Sequence, residues 1–168
     1  MKSVLNIIDN ISEWSGRICG PLIIPLVAIV VLEIVMRKIF NSPTSWSFEV
    51  SKQLYGLYFM ICAAYTLKHE GHVGIDVFSK NFSQRTKSIV EIMCYIIFFF
   101  PFCFLLLYYG VLFAAKSWKI LETGWGAFAI PLYPIKTVIP ITAVLLLLQG
   151  SVGFFRRVSD LISRGTHD

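Results

Sequence analysis

Four long apolar stretches divide the chain, at about residues 18–36, 48–67, 89–115 and 138–155. An α-helix rises 1.5 Å per residue, so about 20 apolar residues cross the hydrocarbon core of a bilayer. Each stretch is close to that length or longer. The pattern therefore predicts an all-α integral membrane protein with four transmembrane helices, long and tilted, in a single membrane domain. Pro101 falls inside the third stretch, where we expect it to kink the helix.

Residues 1–16 show the pattern of an amphipathic helix. Apolar residues recur at helical spacing on one side and polar residues take the other; the two sets are Ile7, Ile11, Trp14 and Ile18, and Asn6, Asp9, Asn10 and Glu13. A signal peptide would carry no acidic residue within its apolar core. We predict a helix in the membrane interface that turns into the membrane near Gly20 and Pro21. A cytoplasmic extension of the first transmembrane helix is the alternative.

The connecting segments differ in length and polarity. After the first apolar stretch, Pro43 breaks the helix, and Thr44 and Ser45 are placed to cap the next one. Residues 68–87 form a long polar loop. Residues 124–135 are apolar but contain two prolines and two glycines, and they are too short to span the membrane as a helix. Such a loop lies in the membrane interface or is covered by a partner.

Composition and charge support a membrane protein and suggest its orientation. The chain has 168 residues, of which 56% are hydrophobic and only 15% charged, too few to wet a soluble domain. The net charge of +5 comes from basic residues between the apolar stretches, which indicates membrane topology and not nucleic-acid binding. The two terminal segments and the 68–87 loop together carry more basic residues than the connecting segments on the opposite side of the membrane. Both termini are therefore predicted to be cytoplasmic.

Glu33 is the one charged residue well inside an apolar stretch, and such residues are candidates for function. Arg37 follows it by four residues, so the two can form an ion pair on one helix face; a role in contacting a partner or sensing an ion is the alternative. His69 and His72 are spaced by three residues, not the four of a zinc-protease motif. No phosphate-binding loop or nucleophile motif occurs, so we expect no enzyme activity, cofactor or metal in this chain.

One segment carries a more specific signal, the string SWSFEVSKQLYGLYFMICAAYTLKHEGHVGIDVF at residues 45–78. It resembles the signature of the small, Q-type (DctQ-like) subunit of TRAP (tripartite ATP-independent periplasmic) transporters. That signature has Trp and Glu before an apolar helix, then a basic turn, then His and Asp; the matching residues are Trp46, Glu49, Lys68, His72 and Asp76. The stretch IPLYPIKTVIPITAVLLLLQG resembles the entry to the family's last helix, and the likeness extends over about residues 17–155.

The resemblance implies a small scaffold or anchor subunit of a secondary active, ion-gradient-driven uptake system in the bacterial inner membrane. A large M-type permease subunit would hold the substrate and the coupling Na⁺, and a periplasmic solute-binding protein would deliver an organic acid anion. Besides these proteins, the chain would contact membrane lipid. The candidate partner-interface or structural residues are Trp46, Glu49, Lys52, His72 and Asp76, together with Glu33 and Arg37.

Two other functions stay open at the level of the sequence. A self-contained four-helix exporter would use a carboxylate in its first helix, and Glu33 is in that helix. Such proteins are shorter, however, and their carboxylate lies deeper, without an adjacent arginine. A structural four-helix membrane protein with no transport role is the other possibility. A large apolar permease encoded beside this chain would separate these functions.

Overall fold

A computed structural model describes residues 2–69, 84–125 and 129–164, and within these parts the chain is helical apart from connecting turns. The helices are α1 (Lys2–Cys19), α2 (Ile23–Lys38), α3 (Ser47–Lys68), α4 (Gln84–Cys94), α5 (Phe100–Lys119) and α6 (Tyr133–Arg164). A 3₁₀ turn at Gly20–Leu22 joins α1 to α2, and a π-helical turn at Tyr95–Phe99 joins α4 to α5. The predicted all-α class is confirmed for the described residues.

Three continuous helical stretches are long and apolar enough to cross a membrane, namely Leu5–Lys38, Ser88–Lys119 and Tyr133–Ser159. They correspond to the first, third and fourth predicted transmembrane helices. The second corresponds to α3, which has 22 residues and is therefore about 33 Å long. It contains Glu49, Lys52 and Lys68 and is not among the helical stretches apolar enough to be candidate spans. A crossing by α3 stays a prediction.

The joined helices α1 and α2 run antiparallel along α3 from end to end. In three contacting pairs spread along the interface the residue numbers add to 80 or 81; these pairs are Glu13 with Lys68, Gly16 with Tyr65, and Glu33 with Ser47. A constant sum is expected for two straight helices in one register. The 3₁₀ turn at Gly20–Leu22 therefore interrupts the hydrogen bonding of the helix without directing it away from α3.

The N-terminal helix turns part of its polar side toward the protein. Ser12 is buried against α6, and Asp9 and Glu13 are half-buried. Asn6 and Asn10 are exposed, and so is the apolar side, including Ile7, Trp14 and Ile18. A helix lying in the interface would place its polar side in water. The predicted interfacial position of residues 1–16 is not confirmed. The shared register with α2 favours the alternative, in which α1 extends the first transmembrane helix.

The π-helical turn lies directly before Pro101. Proline has no amide hydrogen, and its ring collides with the carbonyl group four residues earlier in a regular α-helix. A π-turn, in which hydrogen bonds skip one more residue, is one way in which a helix accommodates such a break. The predicted kink at Pro101 stays a prediction; the irregularity that the structure shows is this π-helical turn, which ends two residues before the proline. It also places Tyr95, Phe99 and Phe100 where their rings contact one another.

Helix α6 is at the centre of the bundle. In the apolar window of this helix 39% of residues are buried, against 6% for each of the other two candidate spans. Its inward side is formed by small and apolar residues and one amide, including Val138, Ala143, Leu146, Gln149 and Val152. The remaining helices therefore pack around α6 and expose broad apolar surfaces outward. In a membrane those surfaces contact lipid or another membrane protein.

Candidate functional site

Five of the predicted site residues lie together where α2 ends and α3 begins. They are Glu33, Arg37, Trp46, Glu49 and Lys52, and the turn between the two helices brings them to one end of the bundle. The other two predicted residues, His72 and Asp76, lie outside the described residues.

Both carboxylate oxygens of Glu33 accept hydrogen bonds from this chain. Oε1 accepts from Nη2 and Nε of Arg37 at 2.7 and 3.2 Å, which confirms the predicted ion pair. Oε2 accepts from the Thr44 amide at 3.1 Å, from the Thr44 hydroxyl, and from the Ser47 hydroxyl at 2.8 Å. Ser47 is fully buried. Glu33 therefore fixes the turn between α2 and α3 to the end of α2.

The predicted capping of α3 by Thr44 and Ser45 is wrong in detail. The N-cap position is Trp46, and no side chain there makes a capping hydrogen bond. The Thr44 hydroxyl donates to Glu33 of the preceding helix instead. A local sequence pattern identifies a hydroxyl that can cap, but a carboxylate from another helix can compete for its hydrogen.

Glu49 lies in the first turn of α3 and forms an ion pair with Lys52, with 2.9 Å between Oε2 and Nζ. Its side chain is only 12% exposed. The same oxygen lies close to Gly124. A Cβ atom added to that glycine would be 3.5 Å from the oxygen. One turn further on, the Gln53 amide donates to the Pro131 carbonyl at 3.2 Å. The start of α3 therefore supports the segment that connects α5 to α6.

That segment, residues 122–132, forms a hairpin-like turn rather than an extended loop. The Gly124 amide donates to the Ile130 carbonyl at 2.9 Å, and the Leu132 amide donates to the Glu122 carbonyl at 2.8 Å. Glu122 also accepts a hydrogen bond from Lys136, which lowers the pKa of its carboxyl group. Trp125 is completely exposed, and residues 126–128 lie outside the described part.

A second group of polar residues lies at the opposite end of the bundle, and it was not predicted from the sequence. There Oε2 of Glu13 accepts from Nζ of Lys68 at 2.7 Å and is 3.0 Å from Nε2 of His69. The Glu13 carboxylate also pairs with Arg17 at 3.1 Å within α1. These contacts connect α1 to the end of α3.

The same end of the bundle joins α1 to α6 through a chain of hydrogen bonds. The buried Ser12 hydroxyl donates to Oε1 of Gln149 at 2.7 Å, and Nε2 of Gln149 donates to Asp9 at 3.0 Å. Arg156 forms an ion pair with Asp9. The signal in the sequence was the polar side of the amphipathic helix. It showed which residues share a face, but not that this face meets protein.

The chemistry of both ends is that of helix attachment. Among residues 2–69, 84–125 and 129–164, no group of three or more His, Cys, Asp or Glu residues could hold a metal ion. The carboxylates of Asp9, Glu13, Glu33, Glu49 and Glu91 each have a basic partner within the chain. The pairs of Asp9, Glu13 and Glu91 join two helices, and such contacts fix helices to one another where apolar burial gives no drive. The pairs of Glu33 and Glu49 lie within one helix each.

Comparisons with known proteins agree with the resemblance of the 45–78 segment. The chain is 27% identical over 96 residues to the sialic acid TRAP transporter permease protein SiaT of Haemophilus influenzae (strain 86-028NP), covering 55% of this chain and 15% of that protein. It is 30% identical over 87 residues to the sialic acid TRAP transporter small permease protein SiaQ of Vibrio cholerae serotype O1 (strain ATCC 39315 / El Tor Inaba N16961). That match covers 52% of this chain and 49% of SiaQ. The matched region is thus half or less of each relative's length.

The family model described as "Tripartite ATP-independent periplasmic transporters, DctQ component" matches residues 26–160. The match includes α3, the turn that Glu33 fixes, and most of α6. Since it covers most of the sequence, the chain belongs to the DctQ component family of tripartite ATP-independent periplasmic transporters.

Proposed function

We propose that this chain is the small scaffold subunit of a secondary active uptake system driven by an ion gradient. It anchors a large M-type permease subunit in the bacterial inner membrane, and a periplasmic solute-binding protein supplies the solute. The observation that carries this proposal is the state of Glu33, whose two oxygens accept hydrogen bonds from Arg37, Thr44 and Ser47. A carboxylate committed in this way stabilises the helix pair and is not free to bind a solute.

The same observation argues against a self-contained exporter. An exporter of that kind needs a membrane carboxylate that alternately binds a proton and its substrate. Release of Glu33 for such exchange would leave the Thr44 amide without its acceptor, and the buried Ser47 hydroxyl would keep only the Thr44 carbonyl at 3.3 Å. The cost of losing these hydrogen bonds favours a permanent structural role.

The relatives support a larger partner and an acidic solute. The matched segment is a small part of SiaT, a much longer permease, whereas SiaQ is named a small permease protein. A segment related to this chain thus occurs both inside a long permease and as a small subunit. Both relatives are named for sialic acid, a carboxylic acid. We therefore propose an organic acid anion as the solute and assign it, with the coupling Na⁺, to the partner subunit.

The proposed complex gives a direct test of assembly. When this chain is expressed together with its proposed large M-type permease, we expect the two to co-purify in detergent as a complex with one copy of each. The apolar outer surfaces of α2 and α5, which include Val31, Phe104 and Leu112, provide area for such a contact. The measurement is the mass of the complex after size-exclusion chromatography. A homodimer of this chain that transports solute without another protein would contradict the proposal.

We propose four membrane crossings with both termini in the cytoplasm. The contacts of α1 with α6, such as that between Asp9 and Arg156, support placing the two ends of the chain on one side of the membrane. The distribution of basic residues supports the cytoplasmic side.

This topology predicts the outcome of thiol labelling in intact spheroplasts. In a variant whose native cysteines are replaced, Trp125→Cys should react with a membrane-impermeant reagent, because the position is fully exposed on the hairpin between α5 and α6. Lys80→Cys should stay unlabelled until the membrane is opened by detergent. Labelling of residue 80 and protection of residue 125 would reverse the proposed orientation.

A further inference from the structure

A groove of about 290 Å³ opens between the end of α2 and the start of α3. Its walls are apolar and its end is basic; the residues that define these two parts are Val30, Ile34 and Phe48, and Arg37 and Lys38. No side chain of the described residues fills this groove.

The apolar walls are formed by neighbouring turns of two antiparallel helices. Val30 and Ile34 are four residues apart on α2 and therefore form one ridge, and Phe48 faces them from α3. All three are exposed, Phe48 to 70% of its full extent. Val30 and Ile34 belong to the candidate membrane span Leu5–Lys38. A long apolar chain lying between them and Phe48 would cover surface that is otherwise open.

The basic end of the groove carries charge that the chain leaves available. The Arg37 side chain is 63% exposed, and Glu33 accepts hydrogen bonds from only two of its nitrogens, so further N–H donors of the guanidinium group remain. Lys38 is exposed and has no ion pair with another described residue. The one acid of the groove, Glu33, contacts Thr44 and Ser47 through one oxygen and pairs with Arg37 through the other. With Glu33 as the partner of Arg37, the two basic residues leave one net positive charge at the mouth of the groove.

The groove has the order of polar and apolar parts that a phospholipid has. The candidate membrane span Leu5–Lys38 ends at the two cations, which places them at the level of the lipid headgroups. Basic pockets between transmembrane helices bind acidic headgroups, and a guanidinium group can contact two phosphate oxygens at once. We propose that this groove binds an anionic phospholipid, with the phosphate on Arg37 and Lys38 and an acyl chain along Val30, Ile34 and Phe48.

Native mass spectrometry of the full-length chain, purified in detergent and depleted of lipid, tests this proposal. Phosphatidylglycerol should bind at one saturable site. Phosphatidylcholine, whose phosphate is balanced by a fixed cation, and diacylglycerol with the same acyl chains should bind much more weakly. The double variant Arg37→Gln/Lys38→Gln should weaken phosphatidylglycerol binding about thirtyfold, because each basic residue near a lipid surface contributes a factor of about five.

The matched control is Lys116→Gln/Lys119→Gln, which removes two positive charges from the end of α5 on the same side of the bundle. It should bind phosphatidylglycerol as the wild type does. Ile34→Trp fills the groove without changing its charge and should also lose binding, so it decides the result if the Arg37 and Lys38 variant does not fold. The proposal is overturned by equal losses in the two charge variants, by equal binding of diacylglycerol, or by full binding in Ile34→Trp. Cross-linking of the groove to a partner protein in place of lipid would overturn it too.

Discussion

Replacement of Gly150 by alanine is expected to destabilise the protein by about 1–3 kcal/mol, the usual cost of overpacking a close contact. Gly150 is buried on α6, and the ring of Phe99 from the π-helical turn lies directly over its backbone. A Cβ atom at this position would be 2.6 Å from Cζ of Phe99, well inside van der Waals contact. The ring has little freedom to move, because Tyr95 and Phe100 pack against it. The measurement is the midpoint of thermal unfolding in detergent.

Two variants separate this steric effect from the general effect of placing alanine in a helix. Gly56 lies in α3 and has no heavy atom within 4 Å of a built Cβ atom, so Gly56→Ala should leave stability unchanged or raise it. Combining Gly150→Ala with Phe99→Leu should recover part of the loss, since it removes the ring that the new methyl group meets. Equal effects of Gly56→Ala and Gly150→Ala would show that α6 does not approach the π-helical turn this closely.

The class of fold could be predicted from the sequence because lipid imposes a length on every apolar helix. The ends of the helices were harder to predict, as α6 shows. The apolar stretch predicted a helix at residues 138–155, whereas α6 covers Tyr133–Arg164. Its additional turns carry Lys136, which pairs with Glu122, and Arg157, which pairs with Glu91. A hydropathy pattern identifies the part of a helix in hydrocarbon and says nothing of polar turns held by ion pairs.

The position of α1 could not be predicted because its partners are far away in the sequence. Ser12 and Gln149 are 137 residues apart, and no local pattern relates them. An amphipathic pattern is the same whether the polar side meets water or the amide of another helix. The orientation of α1 follows from the packing of α6, which presents Gln149 and Arg156 to it.

The sequence predicted the contact of the candidate site that lies within one helix, but not the contacts that join α2 to the turn and to α3. The ion pair of Glu33 and Arg37 follows from their spacing on one helix. The hydrogen bonds from Thr44 and Ser47 depend on the turn between α2 and α3, where Asn41 adopts a left-handed conformation with φ of 49°. Asparagine tolerates this conformation, but its presence alone does not fix the path of the turn.

Glu49→Ala is expected to reduce the yield of intact complex with the large permease more than Glu33→Gln does, and neither change should abolish solute uptake. Loss of the Glu49 carboxylate removes the ion pair with Lys52 and the acidic group beside Gly124 at the base of the hairpin. Polar contacts between membrane helices contribute about 1–2 kcal/mol or less, and an ion pair within one helix contributes about 0.2–0.5 kcal/mol, so the loss should be graded. A glutamine at position 33 keeps an amide oxygen that can accept from the Ser47 hydroxyl. The measurements are uptake into proteoliposomes and the yield of complex on size-exclusion chromatography, with Glu49→Gln as the matched variant that keeps the side-chain volume.

A scaffold loses transport only to the extent that it loses its partner, whereas an exporter loses transport as soon as its carboxylate is neutralised. Complete loss of uptake by Glu33→Gln in an intact complex would therefore make Glu33 a transport residue and end the scaffold hypothesis.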